Sequence, residues 1–224
     1  MDYVPIDILG GHHLLYLSIL FIFSLLLFLN PQSVKQHRKT ITKTILVVSL
    51  LQQMLLYGYF IIFDKFTLAE SLPLHLSRIT TLLIILYILL RKRVLFSLIT
   101  YFSLFAWLSF LVPTDIQPIT HPLGISFLIN HVITVLIPFY IIIAYQIKIK
   151  SSDKYIAFAS FIVYLMTVYF INPILGGNYF YLVQKPIFKT MPDSLYLLFV
   201  IVGTFIFFTI GEKVFKAVEK KYGK

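Results

Sequence analysis

Apolar residues run along this chain in seven stretches, near 12–29, 43–63, 74–90, 94–112, 124–145, 155–171 and 194–210. Each approaches the roughly 20 residues that a helix needs to cross a bilayer. The weakest boundary is the short turn at Arg91-Lys92-Arg93, but the break itself is secure, because three consecutive cations do not lie at the centre of a membrane. The pattern predicts an all-α polytopic membrane protein, a seven-helix transmembrane bundle forming one integral domain over residues 1–224.

Cations between the runs predict its direction. Fifteen of the 19 Lys and Arg fall on one side: Lys35, Arg38, Lys39 and Lys43; Arg91, Lys92 and Arg93; Lys148, Lys150 and Lys154; and Lys213, Lys216, Lys220, Lys221 and Lys224. Basic loops stay in the cytoplasm, so the N-terminus is expected outside and the C-terminus in the cytoplasm. Asp2, Asp7, Asp64, Glu70, Asp115 and Asp193 lean to the outer side. The acidic start, with no basic region before the first apolar run, predicts a retained span rather than a signal peptide. Between the last two runs, Asn172-Pro173 and Gly176-Gly177 mark turns. The aromatic stretch after them is too apolar for a hydrated loop and is expected at the interface or folded over the bundle.

Composition agrees. Of 224 residues, 59% are hydrophobic and 12% charged, whereas soluble domains carry about 25% charged residues. The net charge of +10 is spread between apolar runs, which points to anionic phospholipid at the cytoplasmic face and not to nucleic acid. With no Cys, the chain has no disulfide, thiolate metal site or cysteine nucleophile.

Candidate chemistry comes from polar residues inside the runs. In Glu70-Ser71-Leu72-Pro73-Leu74-His75-Leu76-Ser77-Arg78, Ser71 suits an N-cap and Pro73 a first turn, predicting a helix that starts near residue 73. His75 would then lie about 3 Å and Arg78 about 7.5 Å below its start, on one face. Charged groups at such depth face the bundle or a wet cavity. In the fifth run Asn130 and His131, followed by Thr134, are expected at the same depth, with Pro138 one turn below as a possible kink. Asp115, Asn172, Asn178 and Tyr179 join this outer layer as candidate binding groups. Bland readings suit others: His12-His13 at headgroup level, Gln52-Gln53 as a helix–helix hydrogen bond, His37 in a basic loop.

The Pro73–Ile79 element, Pro113, the Asn130-His131 pair and the Asn172…Gly176-Gly177-Asn178-Tyr179…Lys185-Pro186 stretch together resemble the YwaF family of bacterial multispanning membrane proteins. That family is related to the eukaryotic transmembrane protein 164 group. The resemblance covers nearly the whole chain and implies a multi-pass protein of the bacterial cytoplasmic membrane. The eukaryotic branch is described as acyltransferases that move fatty acyl chains onto ether lysophospholipids, using a cysteine. Here Ser77 stands in the neighbourhood where relatives carry one, so a cysteine acyl-enzyme is excluded.

Acyl transfer needs a base, an acceptor and donors for the developing oxyanion. His75 or His131 suits the base; Arg78, Asn130 or Asn178 suits an ester or phosphate oxygen. Ser77 is a candidate nucleophile, but two residues from His75 on a helix it points about 200° away. Direct transfer between lipids therefore ranks above an acyl-serine route. The expected function is an acyltransferase or transacylase on outer-leaflet phospholipid or lysolipid, without cofactor or metal. The alternative is a non-enzymatic binder or transporter of lipid or anionic solute using the same His/Arg/Asn layer. No run carries a central acid, and no Lys between Leu195 and Ile210 offers a retinal Schiff base.

Overall fold

The computed structural model describes residues 5–63 and 65–223. Asp2, Asp64 and Lys224, counted above in the charge asymmetry, lie outside the described residues. Helices follow the apolar runs: α1 (Gly11–Leu29), α2 (Pro31–Gln36), α3 (Arg38–Ile62), α4 (Leu76–Leu90), α5 (Arg93–Phe102), α6 (Leu104–Leu111), α7 (Pro122–Tyr145), α8 (Ser151–Leu175) and α9 (Asp193–Tyr222). Among the described residues there is no strand.

Six helical segments are long and apolar enough to span a membrane, α5 and α6 counting as one. The remaining run is α4, whose 15 residues extend about 22 Å, short of a hydrocarbon core of about 30 Å. The break between α5 and α6 falls at Ser103, whose hydroxyl donates to the Thr100 carbonyl at 2.8 Å.

The centre of the bundle is α7. Its apolar window is 83% buried, against 22% for α1, α3, α8 and α9. Helices α1 to α6 and α9 all pack on it. A helix hydrophobic all round is a core helix, and α7 is that helix here. Its start is well specified: Pro122 occupies the first turn, and His121 Nδ1 accepts from the Leu123 N–H at 3.2 Å. Gly124 is needed there, since a Cβ would press on the backbone of Gln117 and Pro118. Pro138 sits inside α7 without ending it.

The basic ends of α5, α8 and α9 are tied by charge. Asp153 is buried and pairs with the Arg93 guanidinium, while accepting from the Ser97 hydroxyl at 2.7 Å and the Lys150 N–H at 2.8 Å. Next to it, Lys154 and Lys216 hold Glu212 at 3.0 and 2.7 Å. Each buried charge there has an opposite partner, as a low-dielectric setting demands.

At the other end the chain after α8 folds back over the bundle. Gly176 turns it with φ 64°, and the Gly177 N–H closes on the Asn172 carbonyl at 3.0 Å. Phe180 and Tyr181 follow at φ 57° and 54°. That conformation costs about 1 kcal/mol or more for a residue with a Cβ. Packing offsets it: the Phe180 ring lies 5.4 Å from Phe105, 5.3 Å from Phe161 and 5.9 Å from Tyr164.

Candidate functional site

The segment before α4 is organised around its own carbonyls. The hydroxyl of Tyr179 donates to Leu68 O at 2.7 Å, Arg78 donates to Glu70 O and, at 3.1 Å, to Leu72 O, and Tyr164 donates to Leu74 O at 2.9 Å. Four alternate carbonyls are thus satisfied by three side chains from α4, α8 and the segment after α8. That arrangement moves the helix start. Ser71, expected as the cap, spends its hydroxyl on the Thr67 N–H at 3.0 Å, and the cap of α4 is His75. His75 is extended (φ −65°, ψ 134°), so it stands outside the helix and Arg78 lies in the first turn. The helical angle that separated His75 from Ser77 does not apply to an extended residue.

His75 is bracketed on two sides. Its Nε2 lies 3.4 Å from Glu70 Oε2, and its ring meets Tyr179 edge-on at 4.8 Å. Arg78, whose carbon lies 5.4 Å from the Phe60 ring centre, interacts electrostatically with Glu70, Tyr57 and Tyr179. Hydrogen bonding to His75, with the charges of His75 and Arg78, holds the Glu70 carboxyl below its ordinary value. Burial pushes the Tyr179 phenol up. Among the described residues, Tyr57 Oη is buried and has no hydrogen-bond partner, while the polar partner of His75 Nε2 is Glu70 Oε2.

The second histidine has other company. His131 is buried in α7, its Nδ1 donating to the Phe127 carbonyl at 2.9 Å and its ring stacked on Phe127 at 3.9 Å. Phe110 of α6 closes the far side at 6.1 Å. Among the described residues, His131 and His75 share no hydrogen-bond or ring partner. Asn130 is buried beside it and accepts from the Thr134 hydroxyl at 3.2 Å. Ser77 is half-buried, its carbonyl accepting from the Thr81 hydroxyl at 3.1 Å.

The remaining expected binding groups fall into two kinds. Asn172 and Asn178 shape the backbone. Asn172 accepts from the Tyr179 N–H at 2.8 Å and donates to its carbonyl at 3.0 Å, and Asn178 Oδ1 accepts from Val183 and Gln184 at 3.0 and 2.9 Å. Their combined effect is to seat Tyr179 against His75. Asp115 is exposed at φ 54°, and Glu70 is the carboxylate beside His75. Of the other histidines, His13 is fully used, accepting from Leu9 N–H at 2.9 Å and donating to Phe110 O at 2.7 Å. Sequence reasoning passed over Glu70 and Tyr57. Glu70 is five residues before His75 across a proline turn, a spacing that carries no helical or strand signal.

Chemically, an imidazole between a carboxylate and a phenol ring, with a guanidinium on the next turn, suits proton transfer beside an anionic or ester oxygen. No curated protein and no solved structure matches the chain. A family model does: the one described as the TMEM164 family, over residues 8–211.

Proposed function

We propose, from the premise that this chain belongs to the TMEM164 family of membrane proteins, that it transfers acyl chains between phospholipid and lysophospholipid at the end of the bundle that carries His75. The observation that supports this reading most is the bracketing of His75 by Glu70 and Tyr179 with Arg78 in the following turn. Glu70 orients the Nε2 side of the imidazole, leaving Nδ1 to accept a proton. In the proposed step His75 takes the proton of a lysolipid hydroxyl, and that oxygen attacks the ester carbonyl carbon of the donor. The tetrahedral intermediate expels the donor's glycerol oxygen, which takes the proton back from His75. No cofactor is consumed. Arg78 keeps one nitrogen on loop carbonyls and presents the rest of its guanidinium to a phosphate or ester oxygen.

The charge asymmetry of the loops supports an outward His75 end and a cytoplasmic C-terminus, hence seven crossings with α4 as the short third. The likeness to the bacterial YwaF group supports a place in a bacterial cytoplasmic membrane. On the basic side, an open groove of about 740 Å³ lined by Lys35, His37, Arg38 and Lys39 suits anionic headgroups.

Binding without chemistry is the second reading, favoured by the separate surroundings of His75 and His131. Protein in nanodiscs given phospholipid with a labelled acyl chain and unlabelled lysolipid separates the two. Wild type is expected to move label, His75→Ala to stop it and Glu70→Gln to slow it. Equal transfer by wild type and His75→Ala overturns the assignment; retention of lipid without transfer establishes the binder. A His131→Ala variant that stays folded and active assigns the proton transfer to His75 alone.

A further inference from the structure

Charge is divided unevenly at the basic end of the bundle. No acid occurs in residues 8–63, 71–114 or 116–152, so α2, α3, α4 and α7 bring none to that end. The acids there come from α8 and α9, and each is engaged: Asp153 by Arg93, Glu212 by Lys154 and Lys216, and Glu219 by the Ile149 N–H at 2.9 Å.

On the side without acids, two arginines converge on Tyr145, the last residue of α7. The guanidinium carbon of Arg38 lies 5.7 Å from the centre of its ring and that of Arg91 4.9 Å. Both arginines are exposed, and among the described residues neither pairs with a carboxylate. The scaffold beneath them is tied down. Thr42 Oγ1 lies 2.7 Å from the hydroxyls of both Tyr140 and Tyr145, and Tyr140 donates to the Arg38 carbonyl at 2.7 Å. Arg91 caps α4 at φ 55°, a left-handed position that favours glycine. Arginine there brings a guanidinium over Tyr145 and also over Tyr87, at 5.6 Å. Backbone strain of this kind gathers at ligand clamps.

We propose that Arg38 and Arg91 form a site for the phosphomonoester headgroup of a membrane lipid, seated beside Tyr145. A ring face attracts cations but carries no net charge, so the two guanidiniums keep two full positive charges close together. A phosphomonoester carries about −1.5 to −2 near neutrality and matches them, whereas a phosphodiester carries a single charge. The planar guanidinium fork also fits two phosphate oxygens at once. What adjoins the pair indicates a lipid. Leu89, Leu90 and Val94, which flank Arg91 in the chain, are exposed apolar residues and offer a wall for an acyl chain next to the cation. The open groove beside Lys35 and Lys39 suits anionic headgroups of any kind; the arginine pair selects a dianion. All of α4 separates this site from His75, so it is independent of acyl transfer.

Thermal stability of the protein in a neutral detergent, read during titration with phosphatidate, phosphatidylglycerol or sodium phosphate, tests the site. Phosphatidate is expected to stabilise at about tenfold lower concentration than phosphatidylglycerol, with no response to sodium phosphate over the same range. Arg91→Gly removes the guanidinium and suits the left-handed turn, so the fold is kept. It is expected to weaken phosphatidate binding about tenfold or more, the worth of one charge-assisted contact, and Arg38→Gln to do the same. Lys220→Gln, at an exposed cation of α9, is expected to bind as wild type does. Equal binding by wild type and Arg91→Gly overturns the site. Stabilisation by sodium phosphate equal to that by phosphatidate overturns the lipid. Native mass spectrometry of the unsubstituted protein in an equimolar mixture of the two lipids needs no variant: phosphatidate is expected to be retained in preference, and equal or greater retention of phosphatidylglycerol overturns the phosphomonoester.

Discussion

Replacing Asn172 by Ala tests how the fold holds Tyr179 against His75. The Asn172 side chain is 1% exposed and makes two hydrogen bonds to one residue, accepting from the Tyr179 N–H at 2.8 Å and donating to its carbonyl at 3.0 Å. Alanine fills neither role, and both backbone groups are left buried. At about 1.5 kcal/mol for each unsatisfied group, the loss is about 3 kcal/mol. The helix end survives, because the bond from Gly177 N–H goes to the Asn172 backbone carbonyl. The cost therefore falls on local opening of the segment after α8. With tenfold per 1.4 kcal/mol, amide exchange at residues 178–184 is expected to quicken on the order of 100-fold. Deuterium uptake in nanodiscs, read by mass spectrometry of peptides, measures this against the interior of α7 as an unchanged reference. Asn172→Asp keeps the acceptor for the Tyr179 N–H and loses the donor, so it is expected to fall between wild type and alanine. Unchanged exchange over 178–184 in Asn172→Ala would refute the reasoning, because it would mean that aromatic packing alone seats Tyr179.

Other consequences are equally open to measurement. Glu70 titrates below its ordinary 4.5 in the folded protein, so its contribution to the segment before α4 is complete above the usual carboxylate range and is lost as pH falls through the lowered value. Exchange at residues 65–75 is expected to be slower in wild type than in Glu70→Gln at neutral pH, and the two are expected to converge in acid. Asp153→Ala strands the Arg93 guanidinium and removes the partner of Ser97 and the Lys150 N–H; a loss of about 3 kcal/mol or more is expected, seen as lower thermal stability in detergent, with Asp153→Asn in between. Gly124→Ala drives a Cβ into the carbonyls of Gln117 and Pro118, so about 1–3 kcal/mol should be lost; wild-type thermal stability would contradict it.

Much of the bundle was legible from residue order. Each apolar run became a helical segment; most bounds moved by a few residues because polar flanks and turn residues end helices locally, but α9 runs on twelve residues past its apolar run to Tyr222. Arg91-Lys92-Arg93 separated α4 from α5 as the cost of burying cations requires. That the aromatic stretch after Gly176-Gly177 would leave water was legible, since rings that apolar are not left hydrated; that it folds over the bundle rather than lying at the interface was decided by its packing on Phe105 and Phe161. One local rule misled. Ser71 is a good cap in isolation, yet its hydroxyl is held by Thr67, and the carbonyls ahead of α4 take donors from Tyr179, Arg78 and Tyr164, residues up to 111 positions away.

By itself the amino-acid order determined a helical membrane protein, the place of its long apolar helical segments though not α2 or the break between α5 and α6, its net basic loops and the absence of any thiol chemistry. These rest on hydrophobic free energy and charge burial, which add up residue by residue along the chain. Only the tertiary structure decided that Glu70 stands beside His75, that His131 packs with Phe110 and Phe127, and that Gln52 of α3 donates to Ser126 of α7. Those pairings depend on the rotation and vertical register of one helix against another, and α7, apolar around most of its circumference, carries no local signal of which neighbour each side will meet.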